Sequence, residues 1–122
     1  ILVCLLPLTD TTRGMLDRRL FDALPAGAAL INVGRGGHLV QHDLLAALDS
    51  GKLSSAILDV TDPEPLPAGH PFWAHPRIFL TPHIASATVA TREAMARLVM
   101  DNIDAHLAGR PLVTPVPEMG RA

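Results

Sequence analysis

The stretch that decides the fold is SAILDVTDPEPLPAGHPFWAHPRIFLTPH, residues 55–83. It contains two short apolar runs, Ala56-Ile57-Leu58 and Ile78-Phe79-Leu80, which both read as buried parallel strands. Each gives way to polar, proline-rich chain: Asp59 and then Glu64 between Pro63 and Pro65, and later Thr81-Pro82-His83. Open α/β sheets build their sites in the crevice at the carboxyl ends of their strands. A carboxylate and an imidazole at neighbouring strand ends are therefore a candidate acid–base pair. The competing reading of the same spacing is an Asp/Pro turn and a surface histidine.

Upstream, Ala29-Leu30-Ile31-Asn32-Val33 is a further strand and runs straight into Gly34-Arg35-Gly36-Gly37. A dinucleotide fingerprint needs glycines at its first, third and sixth positions, and counting from Gly34 the sixth is Leu39, so the pattern fails. The glycines instead predict a tight turn in which backbone approaches a ligand, with Arg35 the one long charged group at the strand end. An arginine there can clamp a carboxylate through two parallel hydrogen bonds; the competing reading is a solvated arginine in a glycine turn. Residues 1–6, ILVCLL, form another apolar strand closed by Pro7, followed by loop chemistry in PLTDTTRG. Asp17 caps a helix over about residues 18–24, with Leu20, Phe21 and Leu24 on one face.

Residues 42–50 are helical, with Asp43 in the first turn, Leu44, Leu45 and Leu48 inward and Gly51 as the stop. PFWAHP makes a single turn, with Phe72 and Trp73 packing. The longest helix runs from about Thr88 to Leu107, where Met95, Val99, Ile103 and Leu107 recur every four residues and Ala96 and Met100 widen the stripe. Gly109 and Pro111 end it, and residues 109–122 are expected as an extended tail. Alternating strands and helices give a parallel sheet covered by helices. Arg35, Glu64 and His83 stand 29 and 19 positions apart, about one β-α or β-loop unit each, so all three can meet at one edge of that sheet.

Composition narrows the function classes. At 122 residues the chain is one domain at most, and 48% hydrophobic against 18% charged residues is enough apolar material for a core. A net charge of -2, no basic run and 3% aromatic residues argue against nucleic acid as a partner. The single cysteine, Cys4, rules out an internal disulfide and fits a reducing cytoplasm. No apolar stretch reaches the ~18 residues of a membrane span, so no membrane partner is expected. His70, His75 and His83 fall close in sequence, with His38 and His42 elsewhere, but their spacing fits no common zinc pattern and no metal is expected. The start at Ile1, without a charged n-region, reads as a strand within a longer chain.

INVGRGG, LDVTDPEPLP and LTPHIAS, in that order, resemble the NAD(P)-dependent D-2-hydroxyacid dehydrogenases. PFWAHPRI and LLAALDSGKL look most like the glyoxylate/hydroxypyruvate reductase A branch of that family. The resemblance covers nearly the whole chain. It implies the second half of a Rossmann-like, doubly wound parallel sheet with flanking helices over residues 1–108, followed by the tail. It implies NAD or NADP as cofactor, with NADPH favoured, and a small 2-oxo acid, glyoxylate or hydroxypyruvate, as substrate. Arg35 would hold the substrate's carboxylate and polarise its carbonyl. His83 would donate the proton, and Glu64 would hold and charge that imidazole. Asp59 would contact the nicotinamide carboxamide, while Leu6, Pro7, Thr12, Val33, Gly34 and Ser86, with Arg35 and His83, would line the cofactor. Formate dehydrogenases of the superfamily carry glutamine in place of Glu64, so the glutamate favours reduction of 2-oxo acids.

The chain departs from the family's pattern at Asp10, where a proline is usual, and VPEMGRA echoes the family's end only loosely. A glycine-rich phosphate loop, an acidic residue for the adenosine ribose and a substrate domain, which the resemblance would place ahead of ILVCLL, are not among residues 1–122. The expectation is the nicotinamide half of a dehydrogenase, inactive in isolation. A half-sheet also leaves apolar edge and face open, so a homodimer or larger assembly is expected. The alternative function is a non-catalytic assembly or remnant module of a dehydrogenase.

Overall fold

In the computed structural model, which describes residues 1–115, four apolar runs pair as parallel strands: β1 Leu2–Cys4, β2 Ala28–Asn32, β3 Leu53–Leu58 and β4 Ile78–Leu80. Their order in the sheet is their order in the chain, β1-β2-β3-β4. Helix α1, Arg18–Ala23, joins β1 to β2, and α2, Gln41–Asp49, joins β2 to β3. The link from β3 to β4 is a loop with one 3-10 turn at Pro71–Trp73. The pattern of elements is the expected one, with boundaries that shift by a few residues. β1 stops at Cys4, because pairing with β2 ends at the Cys4–Asn32 partners and leaves Leu5 and Leu6 exposed. β3 begins earlier than expected, at Leu53, because Leu53 pairs with Ala28 and is fully buried.

Parallel crossovers are almost always right-handed. Strands laid down in one direction therefore put every connection on the same face of the sheet. The cross-strand row Leu2–Leu30–Ala56–Ile78 faces that covered side, with Leu30 and Ala56 fully buried. The alternate row, Val3–Ile31–Ile57–Phe79, lies on the other face, where Val3, Ile57 and Phe79 are exposed. Strands apolar on both faces are thus covered here on one.

The core is filled from the helices. Asp17 caps α1 by accepting from the Leu20 amide at 3.0 Å, which aims Phe21 inward to 1% exposure. From α2, Leu44 and Leu48 are fully buried and Leu45 packs at the margin. Asp43 in the first turn of α2 accepts from the Arg18 amide at 2.9 Å and ties the two helix starts together. Phe72 joins the same core, whereas Trp73, expected to pack, is 57% exposed. Its indole Nε1–H donates to the Pro67 carbonyl at 2.9 Å, which holds the ring at the surface.

A second compact unit begins at Ser86. Thr88 caps helix α3, Val89–Leu107, by accepting from the Thr91 amide, and Gly109 closes it with a left-handed φ of 65°. The apolar stripe read from the sequence is present but open: Met95, Val99, Met100, Ile103 and Leu107 are exposed, and Ala105 is the buried residue of the helix. The chain after α3 folds back on it, with the Val113 amide donating to Asn102 Oδ1 at 2.9 Å. Of the expected tail, residues 116–122 lie outside the described residues.

Two strand ends are pressed together at Gly36. It opens a 3-10 turn, Gly36–His38, just beyond β2, and a Cβ there would lie 2.0 Å from the Thr61 carbonyl beyond β3. At Gly37 a Cβ would meet only the flexible ends of Arg13 and Leu8, at 3.0 Å. Gly36→Ala is expected to cost about 3 kcal/mol or more, beyond ordinary overpacking because backbone must move, and Gly37→Ala less than about 1 kcal/mol. Urea denaturation of the two variants checks this; equal midpoints would refute the close approach.

Candidate active site

Parallel strands deliver their carboxyl ends to one edge, and the polar residues collect there. At the end of β2, Asn32 is fully buried and grips the following turn: its Oδ1 accepts from the Gly34 amide at 3.2 Å and its Nδ2 donates to the Arg35 carbonyl at 3.1 Å. The Arg35 side chain is exposed, with Nη1 donating to the Gly34 carbonyl at 2.7 Å. The absence of a side chain at Gly34 lets β1's end come close, since a Cβ would lie 3.0 Å from the Leu6 carbonyl. Leu6 and Pro7 are exposed there, the Val33 amide donates to the Cys4 carbonyl at 3.1 Å, and Thr12 Oγ1 donates to the Pro7 carbonyl at 2.8 Å.

At the end of β3, Asp59 is 3% exposed and its carboxylate is met by three donors. Thr81 Oγ1 and the Ile84 amide donate to Oδ1 at 2.5 and 2.9 Å, and the Ala85 amide donates to Oδ2 at 2.9 Å. Burial by itself would raise the pKa of Asp59. The hydrogen bonds from Thr81, Ile84 and Ala85, with the charge of His83, outweigh it and hold the group below its ordinary value. These bonds wrap the chain after β4 around Asp59. The His83 amide donates to both the Asp59 and Thr81 carbonyls at 3.0 Å, and His83 takes a left-handed φ of 55°, a strained setting for a non-glycine residue.

That turn presents His83 to Glu64. His83 Nδ1 lies 2.7 Å from Glu64 Oε1, and Glu64 Oε2 accepts from the Thr61 amide at 3.3 Å. The His83 hydrogen bond is the main cause of a lowered Glu64 pKa; partial burial opposes it, while the Thr61 amide and the charges of His83 and Arg35 add to it. An ionised Glu64 only accepts, so the proton of this bond sits on Nδ1. His83 Nε2 makes no hydrogen bond among the described residues and points its proton-exchanging position outward. Asp59, Thr61, Glu64, Leu66, Trp73 and His83 line a cleft of about 510 Å³ beside the pair.

The structure therefore brings Glu64 and His83 into contact, while the Arg35 guanidinium bonds the Gly34 carbonyl and acts on Glu64 only as the smallest of the influences that lower its pKa. Leu6, Pro7, Thr12, Val33 and Gly34 form the neighbouring strand ends, and Ser86 opens the second unit with its carbonyl accepting from Thr88. The three histidines weighed as metal ligands go to separate partners: His70 Nε2 to Gln41 Oε1, His75 Nε2 to Asp49 Oδ1 and His83 to Glu64. Gln41 also donates to the Asp62 carbonyl and so fastens the acidic loop to the start of α2. The sequence reading gave Asn32 and Gln41 no part in the site and weighed His38 only against a zinc pattern. Only Asn32 left a signal, as an amide inside an apolar run.

A parallel sheet whose strand ends gather a Gly-Arg turn, a buried aspartate and a Glu–His pair has the crevice in which α/β proteins bind their ligands. The family model for the D-isomer specific 2-hydroxyacid dehydrogenase NAD-binding domain matches residues 1–85, and the chain belongs to that family. It is 49% identical to the glyoxylate/hydroxypyruvate reductase A of Yersinia enterocolitica, over 90% of this chain and 34% of that protein. The crystal structure of a D-isomer specific 2-hydroxyacid dehydrogenase family protein from Klebsiella pneumoniae 342 superposes with a TM-score of 0.84 at 54% identity, over 93% of this chain and 36% of the other. The NADPH-dependent glyoxylate/hydroxypyruvate reductase of Sinorhizobium meliloti, solved with NADP and sulfate, gives a TM-score of 0.82 at 42% identity, over 94% and 37%. The chain thus spans about a third of the length of the relatives it matches.

The lowered pKa of Asp59 makes stability depend on pH in the acid range. Unfolded, Asp59 takes up a proton in the ordinary carboxylate range; folded, it does so only at lower pH. The unfolded chain binds more protons through that window, so stability is full above the ordinary carboxylate range and is lost as pH falls through the lowered folded value. Asp59→Asn sets an amide against a backbone donor and is expected to cost about 1.5–3 kcal/mol at pH 7. It should also flatten the acid loss of stability. Urea titrations at pH 7 and pH 3 measure both effects; an unchanged acid slope in Asp59→Asn would refute the assignment.

Proposed function

We propose that this chain supplies the nicotinamide side of the active site of an NAD(P)H-dependent reductase that converts a small 2-oxo acid, glyoxylate or hydroxypyruvate, to the 2-hydroxy acid. The observation that carries the reading is the Glu64–His83 pair at 2.7 Å, with Arg35 close enough to act on Glu64. The strand ends fit the cofactor: glycine at position 34 lets the ends of β1 and β2 come close together, and Asp59 Oδ2, bonded to the Ala85 amide, leaves room for one more donor. Likeness to NADPH-dependent relatives favours NADPH over NADH.

The reduced nicotinamide, when bound, supplies the hydride to the substrate's carbonyl carbon. Arg35 holds the substrate carboxylate in two-pronged fashion and offers positive charge to the carbonyl oxygen as it becomes an alkoxide. His83 gives that oxygen the proton from Nε2. Glu64 keeps the ring oriented through Nδ1, and the Asp59 turn keeps it at the strand edge. The buried, unpaired Cys4 suits a reducing cytoplasm. The open Val3–Ile57–Phe79 row and the open stripe of α3 support assembly of this chain with a second copy, as a homodimer or larger.

In the complete gene product, His83→Ala should lower turnover of glyoxylate or hydroxypyruvate with NADPH by about 100- to 10,000-fold. Glu64→Gln should cost less and move the pH profile, since the amide keeps the hydrogen bond but not the charge. Arg35→Ala should raise KM and lower kcat together, and Arg35→Lys should recover little of either. Steady-state assays following NADPH absorbance decide. Full turnover by His83→Ala would sink the proton-donor role, provided that cofactor affinity is intact. Analytical ultracentrifugation tests the assembly: a monomer at micromolar concentration would contradict it.

A further inference from the structure

His38 has no role in the chemistry above, yet it is a fully buried polar side chain between two of the site's strand ends. Its Nδ1 lies 3.1 Å from the Arg35 amide nitrogen, and its Nε2 lies 3.2 Å from the Pro7 carbonyl oxygen. Proline 7 offers no N–H, so Nε2 must carry a proton to bond there. The Arg35 carbonyl, 3.0 Å from Nδ1, already accepts from Asn32 Nδ2 and from the His38 amide. The Arg35 amide has the ring as its acceptor. Nδ1 is therefore the bare nitrogen, and one neutral tautomer satisfies both ends.

We infer that His38 is a positioning residue for Arg35: its ring fixes the arginine's backbone against the Pro7 carbonyl, so the cofactor-side segment and the substrate clamp move as one piece. This rests on the reading of Arg35 as the clamp for the oxo acid. The ring also lies against Gly34, where a Cβ would come within 3.1 Å of His38 Cε1, so the turn has no space to shift toward it. Thr12 Oγ1 donates to the same Pro7 carbonyl at 2.8 Å and completes the anchor on the β1 side. Without the ring, the part-buried Arg35 amide loses its acceptor and the turn must open to find water, taking the guanidinium with it.

Three measurements test the bridge. A two-bond 1H–15N spectrum of the wild-type chain should show the His38 ring protonated on Nε2 and bare on Nδ1; a proton on Nδ1 would overturn the proposal. In the complete gene product His38→Leu, which keeps an apolar filler but no bridge, should lower kcat/KM for glyoxylate by about 10- to 100-fold. His38→Gln, with an acceptor and a donor on one amide, should recover most of it. In an Arg35→Ala background His38→Leu should cost less than about twofold, because its effect passes through the arginine. An equal cost in both backgrounds, or a His38→Gln protein as stable as wild type but no more active than His38→Leu, would refute positioning. The tautomer is read without turnover, so failure of the reductase reading, seen as an inactive wild type, is distinguishable from failure of the bridge.

Discussion

A carboxylate taken out of water must be met by donors, and Asp59 is met by the chain that follows β4. The hydroxyl of Thr81 and the amides of Ile84 and Ala85 can reach one carboxylate only if the chain turns sharply after Thr81. That turn puts His83 at positive φ and sends its ring toward the neighbouring strand's loop. The Glu64–His83 contact is thus a consequence of how a buried charge at the end of β3 is satisfied. An exposed ion pair contributes little to stability by itself, so the pair is not what holds the loop in place.

The other half of the site depends on short polar ties and one close approach. Asn32 and His38 hold the Arg35 backbone from either side, and Gly36 lets that turn rest directly on Thr61. Gln41 then fastens the next residue of the acidic loop to α2. These ties leave the Arg35 amide and carbonyl both occupied. The Arg35 side chain stays exposed, while Asn32 and His38 beneath it are buried.

The same topology explains which surface is left open. Sequential right-handed crossovers stack α1 and α2 on one side of the sheet, so the row through Val3, Ile57 and Phe79 receives no cover from within its own unit. The apolar stripe of α3 is open as well. Apolar surface of this kind drives association, and it is the part of the molecule whose energetics lie least within the sheet and its two helices.

Much of this was legible in one dimension. Four apolar runs, each ended by proline or glycine chemistry, determine a parallel α/β sheet, because runs too short for helices and apolar on both faces have few other solutions. Their polar termini single out Arg35, Glu64 and His83, since parallel strands must present their ends together. The sequence could not say that Trp73 stays at the surface, that the stripe of α3 stays open, or that Asn32, His38 and Gln41 hold the site. Those outcomes depend on which backbone carbonyls and amides fall within about 3 Å of a given side chain. That proximity joins residues 7 and 38, or 41 and 62, and it exists only once the strands have docked; periodicity and local propensity carry no record of it.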